Sequence, residues 1–407
     1  MTDRFDIVVV GAGPVGLLGA LAFAQAGRRV CLVGPLAEGR DGRSAALLAP
    51  SVSLLAELGL WPLLAPHAAR LGGMRIIDDS DSLFRPPPVE FACDEIGLDA
   101  FGWNIENATL VAVLAEAVRT TPSIAWRAVF AEQFSADEEA RLTLADGTAV
   151  AAALVVAADG RRSRVREAAG IETREHRYRQ VALTAIFRHS RPHGDISTEF
   201  HRRGGPLTLV PMPGGDRTGG RSSLVWVTTP PHARRLAALD DSSLARAVET
   251  ACHRLLGDMA LEGPRGTVPL AAMHATRFCG ERLALAGEAA HVLPPIGAQG
   301  LNLGFSDIRL LRDLVAGADD PGASAVLSGY DRTRRADAGL RAIAVDGLNR
   351  ALLSSSPFLD AARGIGLGLL GQVGPLRRAA MRAGLPRTAD RDPRSPRDQR
   401  PVQGARL

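Results

Sequence analysis

The sequence predicts an α/β fold: a Rossmann-like domain built on a βαβ unit, a second domain that is mostly antiparallel sheet, and C-terminal helices. Three observations carry this. Phe5 to Gly16 sets a β-branched run before a glycine turn and an apolar helix. Short β-rich runs broken by Gly/Pro turns fill 181–227. A second glycine-rich segment, Gly287 to Gly304, follows a short apolar run and leads into helical spacing.

The elements follow in order. Ile7 to Val10 reads as a strand buried on both faces of a parallel sheet. Leu17, Leu18, Leu21 and Phe23 mark a helix that stops at Gly27, and Arg29 to Val33 is the second strand. Together they make a βαβ unit of about 30 residues, the size of a dinucleotide fold. Arg43 to Gly59 reads as mostly helical, 72–100 as irregular or sheet structure, and Glu106 to Arg119 as a helix. Leu142 to Leu144, the turn Asp146-Gly147 and the run from Ala149 form a hairpin; Leu154 to Ala157 is a buried strand ending at Asp159-Gly160. Asp240 to Leu256 is a helix on the second sheet, and Leu283 to Ala286 a strand that rejoins the first domain. Ser306 to Val315 and Ala323 to Leu353 are helical. Pro357 to Met381 reads either as a helix packed on the body or as an amphipathic membrane-surface patch, with packing favoured. Residues 386–407, rich in Arg, Pro and Asp, are expected to be disordered.

Composition narrows the function. All 48 basic residues are arginine, yet they are interleaved with 44 acids and the net charge is only +4, so nucleic-acid binding is not expected. Cys31, Cys93, Cys252 and Cys279 are far apart, and neither they nor the nine histidines fall at metal-ligand spacing. They read as reduced thiols of a cytoplasmic protein. Acidic Asp3 and Asp6 and the interrupting glycines argue against an export signal, and no uninterrupted apolar run is long enough for a spanning helix.

Two segments carry the chemistry. In Gly11-Ala-Gly-Pro14-Val15-Gly16, Gly11 makes a tight turn, Gly13 lets backbone approach a pyrophosphate, and Gly16 lets helix and strand pack closely. Backbone N–H groups at the helix start then attract phosphate. A ribose-binding acid normally closes the second strand, but Val33-Gly34-Pro35 stands there. Glu38 comes late, and it reads equally as a ribose contact or a solvated loop residue. Asp159-Gly160 precedes Arg161 to Arg166. It reads either as a turn with surface arginines or as an Asp cap that places donors and positive charge at a dinucleotide. In the second segment, Glu288 can hydrogen-bond ribityl hydroxyls after Gly287. Pro294, Pro295 and Gly297 shape a wall, and a helix starting around Gly300-Leu301-Asn302 aims its positive end at the negative locus of a reduced flavin. His291 reads as a packed core residue. Two such loops in one chain suggest a flavin held at both ends.

On Gly11-x-Gly-x-x-Gly16, Arg43-Ser-Ala-Ala-Leu-Leu, Ala158-Asp-Gly-Arg-Arg-Ser-Arg-Val-Arg and the Ala286 to Gly304 segment, the chain resembles the class A flavoprotein monooxygenases of the para-hydroxybenzoate hydroxylase fold. More closely, it resembles the ubiquinone-biosynthesis hydroxylase family. The resemblance spans Phe5 to about Leu385. It implies FAD as cofactor, with Gly11, Gly13, Pro14, Val15 and Gly16 at its ADP part and Arg43 bridging phosphates and ribityl chain. Asp159 and Gly160 would serve FAD and a transient NAD(P)H. Gly287, Glu288, Pro294, Gly297, Gly300, Leu301 and Asn302 would lie around the ribityl and ring end. Glu288 stands where the wider class has Asp. The implied domains are a discontinuous FAD-binding domain (1–75, 101–180, 265–340), a substrate domain (76–100, 181–264) and a helical segment (341–385).

The implied reaction is NAD(P)H-dependent reduction of FAD, O2 addition at flavin C4a, and transfer of one oxygen to the ring of a polyprenylated phenol. No catalytic side chain is assigned. The implied setting is cytoplasmic and peripheral to the inner membrane, with other quinone-biosynthesis proteins as partners and a homodimer as one arrangement. Two rivals stay open: a hydroxylase of a soluble small aromatic or polyketide, and a non-catalytic FAD-binding scaffold.

Overall fold

The computed structural model describes residues 3–36, 39, 42–80, 86–202, 204–214, 219–294, 299–336 and 371–384. Glu38, Pro295, Gly297 and the 386–407 tail lie outside them, as does most of the Pro357 to Met381 segment. Elements are numbered in chain order.

The first sheet runs β17 (Cys279–Gly280), β18 (Leu283–Leu285), β11 (Ala149–Ala157), β1 (Asp3–Val10), β2 (Val30–Val33) and β8 (Ile124–Arg127). From β18 to β8 all neighbours are parallel. The hairpin partner β10 (Ala140–Leu144) and β9 (Ala131–Ala136) extend it antiparallel from β11. Helices α1 (Pro14–Gln25), α4 (Asn107–Arg119), α8 (Gln299–Ala316) and α9 (324–336) accompany this sheet. Ile7 to Val9 and Val30 to Val33 are fully buried, as the unbroken β-branched run requires. The strand read at Leu154 to Ala157 and the hairpin strand from Ala149 are one element, β11.

A three-stranded sheet, β3 (Ser44–Leu48), β7 (Gly102–Glu106) and β4 (Ala68–Leu71), sits between the main sheets. It corrects the helical reading of Arg43 to Gly59. Ala and Leu favour helix locally, but Ser44 to Leu48 pairs along Glu106 to Gly102, and only then does α2 (Ala49–Glu57) begin. The short helix α3 (Trp61–Leu64) follows.

The large sheet runs β19 (His291–Val292), β16 (Met259–Ala275), β12 (Thr173–His189), β15 (Gly220–Thr228), β14 (Leu207–Met212), β13 (Ile196–His201), β5 (Gly73–Asp78) and β6 (Val89–Ala92). It is antiparallel except for β13 on β5. Leu183, Ala185, Phe187, Leu224 and Trp226 face α6 (Pro230–Ala237) and α7 (Asp241–Ala251), which Asp240 caps through the Ser243 N–H. Strands β12 and β16 each run 17 residues, crossing the boundaries expected near 181 and 264. The helix Gly374–Gly384 lies on the outer strands, with Met381 against Val89 and Phe91 and Arg377 paired to Glu95 at 2.8 Å. Among the described residues no helix is long and apolar enough to cross a membrane.

Candidate active site

The two glycine segments meet. Gly11 has φ +112°, and a Cβ there would lie 2.3 Å from the Ala158 carbonyl oxygen and 2.8 Å from the Asp159 nitrogen. A Cβ on Gly16 would lie 1.8 Å from the Gly11 carbonyl oxygen. Both glycines are thus demanded by backbone packing. Gly13 differs: its φ is ordinary, and a Cβ would meet nothing within 4 Å. It caps α1 in an extended conformation, Pro14 occupies the first turn, and no acid stands there. The turn therefore offers an open N-terminus with its positive end uncompensated.

Val15 joins this turn to the second segment. A Cβ on Gly304 would lie 2.6 Å from Val15 Cγ2, and one on Gly287 3.1 Å from the same atom. Arg166, in α5 (Arg164–Ala168), is 4% exposed and donates to the carbonyls of Arg161 and Ala289, each at 3.0 Å. That corrects the surface reading of this arginine: it ties α5 to the 3-10 turn Gly287–Ala289.

Ser163 caps α5, accepting from the Arg166 N–H at 3.0 Å, and the Asp159 carboxyl faces the first-turn N–H groups of Arg164 and Val165. Asp159 Oδ1 is buried without a hydrogen-bond partner among the described residues. Burial pushes its carboxyl above the usual carboxylate range, against hydrogen bonds from Ser163, Val165 and Arg164 that pull it down. Gly160 follows with φ +85°. Gly34, where a ribose-binding acid was expected, has φ +139°, and a Cβ there would press to 3.2 Å on the Ala12 nitrogen. The backbone at the end of β2 therefore strains any side chain, both by its positive φ and by the close approach of the glycine loop.

Glu288 is exposed on its turn, and Pro294 is buried. Helix α8 begins at Gln299 with Gly300 exposed, Leu301 half-buried and no acid in its first turn. The Asn302 amide is engaged inside the protein: its Oδ1 accepts from Leu48 N at 2.9 Å and Ser51 Oγ at 2.6 Å, and its Nδ2 donates to Ala46 O at 2.8 Å. It locks α8 to β3 and α2, directly after exposed Arg43, whose carbonyl accepts from Asn107 N at 3.0 Å.

Behind the second segment lies a buried ionic cluster that sequence reading missed. Asp307 Oδ2 accepts from Gly287 N at 2.8 Å and stands 2.7 Å from His291 Nε2. Its Oδ1 stands 2.5 Å from Arg334 Nε on α9. Exposures are 0% for Asp307, 3% for His291 and 4% for Arg334. Burial raises the Asp307 pKa, but Arg334 and His291 outweigh it and hold the carboxyl below its ordinary value. The one signal in sequence was a lone acid on an otherwise apolar helix face.

A family model described as "FAD binding domain" matches residues 4–341. The chain is 34% identical to ubiquinone hydroxylase UbiL of Rhodospirillum rubrum over 93% of this chain and 88% of that protein. It is 29% identical to the 3-demethoxyubiquinol 3-hydroxylase of Escherichia coli over 93% and 98%. Its fold matches p-nitrophenol 4-monooxygenase PnpA of Pseudomonas putida DLL-E4 at TM-score 0.76 and 20% identity, covering 94% of this chain and 98% of that one.

Proposed function

From the premise that this chain belongs to the FAD-binding-domain family of flavoproteins, we propose that it is an FAD-dependent monooxygenase of ubiquinone biosynthesis. It uses NAD(P)H and O2 to hydroxylate the ring of a polyprenylated phenol. The observation that carries this reading is the end-to-end similarity to ubiquinone hydroxylases. The junction of both glycine segments through Val15 supports it.

The residues fit the cofactor. Gly13 leaves room where backbone would approach a pyrophosphate, and the N-terminus of α1 supplies donors and positive charge. Asp159 offers a buried acceptor beside that turn, and Glu288 an exposed one on the second segment. Arg43 would neutralise phosphate, and Gly300 and Leu301 would present the start of α8 to the ring. Asn302 contributes by fixing that helix against β3. FAD, when bound, supplies electron storage and O2 activation. The protein orients the ring and excludes water.

The substrate's tail calls for contact with the inner membrane surface. The described end of the 357–381 segment exposes Val373 (40%) and Leu376 (45%) beside its packed Met381.

Quinone-intermediate profiling by mass spectrometry in a strain lacking this chain tests the reading. An under-hydroxylated prenylphenol should accumulate and be cured by the wild type but not by Gly13→Val or Arg43→Ala. Rescue by both variants after confirmed FAD loss would favour a scaffold. An unchanged profile, with no second hydroxylase covering, would favour a soluble aromatic substrate.

A further inference from the structure

We propose that Glu199 and His201, with Asp78 behind them, form the acid–base group that takes the phenolic proton of the substrate. The argument begins with strand alternation. Phe200 on β13, Leu207 and Leu209 on β14, and Leu224 and Trp226 on β15 point to α6 and α7. Glu199 and His201 therefore share the opposite face. Register sets Glu199 beside Thr208, Thr208 beside Val225, and Val225 beside Thr184. His201 lies opposite Asp78.

This face is turned to the cofactor domain. Ser223, on the same face, touches Ser44 of β3 at 2.7 Å, and buried Asn104 of β7 donates to Pro211 O at 2.8 Å. Sites between domains are where small ligands are usually held.

The cluster is polar, buried and incompletely satisfied. His201 Nε2 is 2.7 Å from Glu199 Oε1, and His201 is 7% exposed. Asp78, 6% exposed, accepts from Ser80 N at 3.0 Å and Ser80 Oγ at 2.6 Å through Oδ1. Asp78 Oδ2, His201 Nδ1 and Thr184 Oγ1 are buried without a hydrogen-bond partner among the described residues. Two orphaned polar atoms side by side on paired strands, with Thr184 three strands away on the same face, call for a polar ligand. Ala182, Val227 and Leu270 form an apolar cluster on β12, β15 and β16, two to four strands further along the same sheet, with Val225 and Tyr178 packed on it. A hydroxyl-bearing ring with an apolar tail matches that surface.

Among the described residues the other nearby charges are occupied elsewhere. Asp79 pairs with Arg202 and with His253 at 2.8 Å, on the α7 side of the strand end. Arg377 pairs with Glu95 on the outer strands, and Arg221 and Arg188 share Glu262 at the far end.

The step balances simply. The phenolic O–H bond breaks, its proton passes to the Glu199–His201 pair, and the electron pair stays on oxygen, enriching the ring for attack on the oxygen supplied from O2. The new C–O bond forms as the O–O bond breaks, the second oxygen leaving as water with the two electrons taken from NAD(P)H. The attacked carbon loses its own hydrogen as a proton when the ring regains aromaticity, and the Glu199–His201 pair returns its proton to the phenolic oxygen.

This rests on the prenylated-phenol reading, and the test separates the two. FAD-loaded Glu199→Gln and His201→Gln proteins are given NAD(P)H and the prenylphenol that accumulates in the deletion strain, with a ring-fluorinated analogue of more acidic hydroxyl. Expected are unchanged FAD content and at least a ~10-fold lower yield of hydroxylated product per NAD(P)H at pH 7. The yield should recover as pH rises towards the phenol's own value of about 10, or with the acidic analogue. Glu199→Asp should keep part of the yield. Wild-type yield in both variants, or a loss indifferent to pH and phenol acidity, overturns the proposal. Should both variants fail to hold FAD, the wild type decides. A yield that tracks the phenol's solution ionisation overturns the proposal; one that does not supports it. A wild type that makes no hydroxylated product sinks the substrate reading instead.

Discussion

Asp307→Asn should destabilise the fold strongly. The carboxylate is fully buried, and its partners are the Gly287 N–H, His291 and Arg334. Asparagine keeps the shape but removes the charge that faces Arg334, which is 4% exposed. Breaking a buried ion pair from one side costs about 3–5 kcal/mol, because the remaining charge stays desolvated. Urea unfolding of the FAD-free protein reads that loss as a lower midpoint at unchanged slope. The pH dependence has a definite sign. The folded pKa is depressed, so the carboxylate's contribution is present above the unfolded value of about 3.9 and is lost as pH falls through the folded value. The gap between wild type and variant should be full at pH 7 and close below pH ~4. Adding Arg334→Met to Asp307→Asn should recover most of the loss, since it removes the buried charge that the single variant leaves desolvated. An Asp307→Asn midpoint equal to wild type at pH 7, or a gap that widens in acid, would refute the reasoning.

Three further outcomes follow from the same geometry. Gly13→Ala should fold with wild-type stability yet lose bound FAD, whereas Gly11→Ala should fail to fold, because only the second Cβ collides with backbone; flavin absorbance and a thermal melt separate the two. Asp159→Asn should raise the melting temperature of the FAD-free protein at pH 7 while weakening FAD binding. Its folded pKa is raised, so the charged form penalises the fold above the unfolded value, and the gain should vanish near pH 3 where both states are neutral. Asn302→Ala strips partners from Leu48 N and Ala46 O, and should cost roughly 2–6 kcal/mol in urea unfolding at about 1–3 kcal/mol per stranded buried group.

What was legible in the sequence was local. The β1–α1–β2 unit could be read because an unbroken β-branched run, a glycine turn and an apolar helix are each specified by neighbouring residues. Ser44 to Leu48 could not, because its strand state depends on Glu106 to Gly102 across the fold. Arg166 and Asn302 sat in readable segments, but their work is with carbonyls and amides more than a hundred positions away. Asp307 acquires meaning only when His291 and Arg334 arrive beside it. The face carrying Glu199 and His201 needed the register of five strands before alternation could say which side chains share it.

These long-range ties determine how the second glycine segment is presented. Gly287 is held from behind by Asp307, its α-carbon side is filled by Val15, and two residues on Ala289 is held by Arg166. The turn that carries Glu288 is thus fixed on both sides, while Glu288 itself is exposed. A carboxylate on a fixed turn presents its oxygens at small entropic cost on binding. The extra methylene of Glu over Asp adds one rotatable bond to that reach, so Glu288→Asp should alter FAD affinity without altering stability. Loosening the turn through Arg166→Met should alter both. Measuring FAD dissociation and the melting temperature of the FAD-free protein for the two variants distinguishes a contact from its support. Equal effects on both quantities in both variants would remove the distinction drawn here.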